Sequence, residues 1–81
     1  MTHAEMQQLT INHWMTNFRA RAKEMGLEEM QKQAAACARL TRTEMDNLKA
    51  VGLDEETAWT EARNLYCLAP PPKSDRLQTA Q

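Results

Sequence analysis

From residue 11 onward the apolar side chains recur at helical spacing. Ile11, Trp14, Met15, Phe18, Ala22 and Met25 fall at offsets of 3, 4, 7, 11 and 14, one face of an α-helix rather than the alternation of a strand. Thr10 precedes this stripe as a candidate cap, with Leu9 and Trp14 at the two positions of a hydrophobic staple. Further upstream, Thr2 and Glu5 have the spacing of a capping box. Met6 and Leu9 then form a first turn or two that falls off the main stripe. The pattern therefore predicts a bend or break near Thr10, with one long first helix as the alternative.

Gly26 ends this segment, because glycine accepts the left-handed conformation that closes a helix, and Leu27 is placed to cover the last turn. Glu28 and Glu29 suit the amino-terminal end of a second helix, whose inner face reads Met30, Ala34, Cys37, Ala38 and Thr41. Thr41 and Glu44 again have capping-box spacing, and Thr43 is a rival cap. They predict a third, short helix with Met45, Leu48 and Val51 inward, closed by Gly52. Asp54 caps a last helix with Ala58, Trp59, Ala62, Leu65 and Tyr66 inward, and Pro70, Pro71 and Pro72 stop it. The predicted helices are 11–25, 27–40, 43–51 and 54–68. The expectation is an all-α protein: a small bundle of three or four short helices in αα-hairpins, with a Pro-containing flexible tail. Residues 1–69 read as one helical domain and 70–81 as a Pro-rich, polar tail. The segments Lys23–Glu29 and Lys49–Glu55 echo one another, which shared helix–turn–helix punctuation accounts for.

Composition narrows the picture. Of 81 residues 42% are hydrophobic, but 12 are Ala and 6 Met, and Leu, Ile, Val and Phe together number 11. A core this thin invites completion by oligomerisation or by a partner. Nothing in the sequence spans a membrane. Net charge is −1, yet the charges are polarised. Residues 19–42 carry six Lys/Arg against three Glu, and residues 44–61 carry six acids against Lys49 alone. These are two solvated faces or complementary ends.

Candidate chemistry is sparse. Cys37 and Cys67 stand thirty residues apart without a CxxC or a His pair, so no zinc site or disulfide framework is implied. Cys37 reads as a small core hydrophobe and Cys67 as exposed. With no basic, apolar leader after Met1, the expected setting is cytoplasmic and reducing. No GxSxG, HExxH, P-loop or GxGxxG occurs, and no enzyme, metal or cofactor is expected. The expected function is a non-enzymatic protein-binding module: a small adaptor, inhibitor or regulator presenting a helical face to a larger protein, or to itself as a homodimer. Its candidate partner-binding residues are Trp14, Met15, Phe18, Arg19, Arg21, Trp59 and Tyr66, aromatics and Met as apolar anchors and Arg to fix orientation. The competing reading is a DNA-binding, antitoxin-like regulator using basic residues in 19–42. A helix-turn-helix over 45–64 would place Asp54, Glu55 and Glu56 against phosphate, which argues against that variant. A small redox enzyme built on Cys67 is the third reading.

Overall fold

The computed structural model describes residues 2–71. They form three helices, α1 (His3–Asn17), α2 (Arg19–Ala50) and α3 (Glu55–Leu65), with no strand among the described residues. The fold is all-α, as expected. The polar tail expected over 73–81, with Pro72, lies outside the described residues.

α1 begins at the capping box anticipated at Thr2. The Thr2 hydroxyl accepts the Glu5 N–H at 3.1 Å, and the Glu5 carboxylate accepts the Thr2 N–H at 2.8 Å. Two amide donors of the first turn are thereby satisfied. The expected break at Thr10 does not occur. Thr10 is buried within α1 and donates its hydroxyl to the Met6 carbonyl at 3.0 Å. A threonine that bonds back to the preceding turn has no need to cap. Met6, off the predicted stripe, is fully buried, because the buried face of α1 runs through Met6, Thr10, Ile11 and Trp14 and is rotated away from Met15.

The break falls at Phe18 instead (φ −133°, ψ 51°). Its N–H donates to the Trp14 carbonyl at 2.8 Å, and its carbonyl accepts the Ala22 N–H at 2.9 Å. One residue thus ends α1 and opens α2 with both of its backbone groups paired. Gly26 interrupts α2, as expected of it, at φ 84° and ψ 161°, a combination open to glycine and nearly closed to other residues. α2 therefore consists of a short arm, 19–25, and a long arm, 27–50.

The long arm merges the predicted second and third helices. Thr41 does not cap; its hydroxyl donates to the Cys37 carbonyl at 2.7 Å, one turn back. Met30, Ala34, Ala38, Thr41 and Met45 are buried at spacings of 4, 4, 3 and 4, so one stripe runs through the junction. Val51, expected inside, is the C-cap and is 75% exposed. Gly52 (φ 111°) makes the turn. Asp54 caps α3, accepting the Thr57 N–H at 2.7 Å. α3 stops at Leu65, which faces solvent, while Ala58 and Ala62 face inward. Residues 66–71 continue as turns and irregular chain.

Two clusters lie along the long arm. Near the bend, Trp14 and Ile11 pack with Ala22, Met30 and Ala34, flanked by Phe18, Met25 and Cys37. Toward the far end, Met6 packs with Ala38, Met45, Ala58, Ala62 and Cys67, flanked by Leu9, Leu48 and Trp59. Met6 thus meets the far end of the long arm and Trp14 its beginning, so α1 runs opposite to it. The alanines let helices approach closely, and Trp14, Met6 and Met45 fill the space between them, about 1.5–3 kcal/mol for each large side chain buried. Cys67, expected outside, is fully buried with its sulfur 3.3 Å from the Thr41 hydroxyl. It is carried inward because the chain after α3 folds back over the core: the Trp14 indole N–H donates to the Ala69 carbonyl at 2.9 Å, and Pro71 is buried.

Two predictions follow from the caps and the bend. A Cβ at Gly26 meets nothing within 4 Å, so Gly26→Ala isolates the backbone cost, expected at about 1–3 kcal/mol. A urea denaturation with an unchanged midpoint would show that the bend does not need glycine. The Thr57 N–H holds the Asp54 carboxyl below the usual carboxylate range, and the Thr2 N–H does the same for Glu5. A folded value below the unfolded one stabilises above the unfolded pKa and is lost as pH falls through the folded one. Melting temperature should therefore fall as pH drops through and below the usual carboxylate range. Asp54→Asn, which still caps, should make that drop shallower; an identical acid limb in the two proteins contradicts the assignment.

Candidate functional site

The bend creates an open cleft of about 490 Å³ between the end of α1, the short arm of α2 and the start of its long arm. Met15, Arg19, Ala20, Ala22, Lys23 and Met30 line it. Each is placed there by a local cause. Met15 follows Trp14 on α1; since Trp14 points inward, Met15 turns outward and is 51% exposed. Ala22 and Met30 point into the core and offer the cleft only their rims. Arg19 and Lys23 lie four apart, hence on the same side of the short arm. Both are exposed and neither has an ion-pair partner among the described residues. The site is thus an apolar floor of methyl and thioether groups under two solvated cations.

The candidate binding residues separate into four groups. Met15 and Arg19 line the cleft, and the half-buried Phe18 stands between them at the bend, its ring edge-on to His13 at 5.6 Å. Arg21 is on the same arm but half-buried, with Nε 3.7 Å from the Glu24 carboxylate. Trp14 has no exposure, so the folded chain presents none of its ring to a partner. Trp59 and Tyr66 do not join the cleft. Trp59 packs against the far cluster with the Arg63 guanidinium 5.9 Å over its ring, and Tyr66 is the half-buried C-cap of α3. Lys23, Ala20 and Met30 complete the cleft although they are absent from the sequence-derived set. The i, i+4 relation of Arg19 and Lys23 was the one signal for them.

The other groups are dispersed. Arg39 lies about 20 Å along the long arm from Gly26 at 1.5 Å per residue, and Arg42 acts electrostatically on Glu55. The basic residues of 19–42 are therefore spread along α2. Burial, and secondarily Cys67, pushes the Cys37 thiol up, the opposite of what a nucleophilic thiolate requires. No group of three or more His, Cys, Asp or Glu able to hold a metal occurs among the described residues. No helix among them is long and apolar enough to cross a membrane.

This division of roles predicts sharply different costs for adjacent residues. Trp14→Ala should lower stability by about 3–5 kcal/mol, whereas Met15→Ala should stay within about 0.5 kcal/mol. Chemical denaturation followed by circular dichroism decides it; equal losses would mean that Met15 is part of the core. In comparisons with known proteins, the chain matches no family model, no curated protein and no solved structure.

Proposed function

We propose that the chain is a non-enzymatic protein-binding module of the cytoplasm, a small helical bundle with a Pro-containing tail that acts as an adaptor or regulator through its bend. The cleft carries this reading: Met15, Ala20 and Met30 form an apolar floor beneath the cations of Arg19 and Lys23, which have no ion-pair partner among the described residues. An apolar centre with a charged rim is the usual anatomy of a protein interface. Methionine suits such a surface because its unbranched thioether repacks against different shapes at low cost. The lining offers thioethers, methyls and cations, a set fitted to contact and orientation rather than to proton transfer. Phe18, half-buried beside the cleft, supplies aromatic area within reach of the same partner. Two free cysteines, one of them buried, are consistent with a reducing compartment.

The test is site-specific photo-crosslinking. A benzophenone amino acid at Met15 is expected to give a discrete protein adduct in cells. The same group at Thr43, exposed on the long arm, is expected to give none. Arg19→Glu combined with Lys23→Glu should abolish the Met15 adduct. Equal labelling from both positions, or no adduct from Met15, refutes the reading.

A further inference from the structure

The chain after α3 is tied to the other helices by few bonds. α1 and α3 both pack on α2, and their backbones do not approach one another. Segment 66–71 leaves α3 and reaches across to Trp14 on α1. Its own amides bond back to α3: the Tyr66 N–H donates to the Ala62 carbonyl at 3.1 Å, and the Leu68 N–H to the Arg63 carbonyl at 2.8 Å. Among the described residues, two side-chain bonds tie it to α1 and α2. The first is the Trp14 indole N–H donating to the Ala69 carbonyl at 2.9 Å. The second joins Cys67 to Thr41 at 3.3 Å. The Thr41 hydroxyl already donates its proton to the Cys37 carbonyl, so the Cys67 thiol is the donor here, and a thiol is a weak one. Pro70 and Pro71 have no N–H to add.

We infer that segment 66–71 is a strap that opens as a unit while the three helices stay folded, uncovering the indole edge of Trp14 and the thiol of Cys67. The parts of a fold that open first are those with few bonds into the core. Here the loss of one indole bond and one thiol bond releases the whole segment from α1 and α2. The helices do not need the strap for their own packing, because α2 contacts both α1 and α3 directly. Closed, the strap lies over the core with Trp14 and Cys67 without exposure. Open, the indole N–H loses its acceptor and becomes a free donor on the edge of a large aromatic ring, which the closed form withholds. The strap is thus a removable cover on the largest core side chain. The inference goes beyond the docking reading of the cleft and does not rest on it, since Met15 is exposed with the strap closed.

The buried Cys67 thiol reports the opening. The full chain is alkylated with iodoacetamide at a concentration low enough that alkylation is slower than reclosing, so that the rate measures the open fraction. The modified peptide is identified by mass, which reads the half-buried Cys37 separately. Cys67 is expected to react at least about tenfold faster than the global unfolding equilibrium allows, at a rate nearly independent of urea below the unfolding transition. Trp14→Phe keeps a ring but removes the N–H, and Pro71→Ser removes a buried contact of the strap itself. Each should raise the Cys67 rate about fivefold. Lys32→Gly, at an exposed position of the long arm, should raise the global unfolding constant about fourfold and leave the Cys67 rate unchanged. If Trp14→Phe loses its helical circular dichroism, Pro71→Ser carries the test. A Cys67 rate that tracks global unfolding in urea, that rises with Lys32→Gly, or that is unmoved by the folded strap variants overturns the inference.

Discussion

Everything near the bend depends on where Trp14 is put. It is the largest side chain in the core, in a chain with only 11 Leu, Ile, Val and Phe residues. Its ring is enclosed by α1, the short arm of α2 and the start of the long arm, and its indole N–H is held by the Ala69 carbonyl. A buried indole without a partner for its N–H would be costly. The hydrogen bond therefore recruits the chain beyond α3 as a cover, and that cover carries Cys67 and Pro71 inward.

Enclosing one large ring with few aliphatics requires the backbone to wrap around it. Phe18 and Gly26 make that wrap, eight residues apart, and the seven-residue arm between them closes over the ring through Ala22. Wrapping has a geometric consequence. A short arm that turns twice leaves a concave corner, and the side chains adjacent to Trp14 are turned outward into it. Core formation and cleft formation are two results of the same bend.

The long arm separates two electrostatic environments. Its 24 residues hold the cations of the bend away from the acids of the α2–α3 turn, farther than a Debye length of about 8–10 Å at ordinary ionic strength. Neither group is neutralised by the other within one chain, although the net charge is −1. The acidic excess lies at the far end, where residues 44–56 carry five acids against Lys49 alone.

What the sequence by itself determined is the local chemistry of the helix ends. Thr2 with Glu5, Gly26, Gly52 and Asp54 all act where and as their residue types dictate, because a cap or a left-handed turn is decided by one side chain and the nearest backbone. The all-α class was legible for the same reason, through helical spacing. What only the tertiary structure decided is which capable residue acts. Thr10 and Thr41 have cap chemistry too, but each lies on a face buried by another element, where bonding back to the preceding turn lets the helix continue. Phe18 has no breaker chemistry, yet it breaks because enclosing Trp14 requires a turn there. The cleft followed the same rule: Arg19 and Lys23 share a face by spacing alone, but Met15 and Met30 meet them across a bend that no periodicity encodes. Cys67, expected outside, lies inside because the chain after α3 returns over the core, a long-range contact that local sequence does not specify.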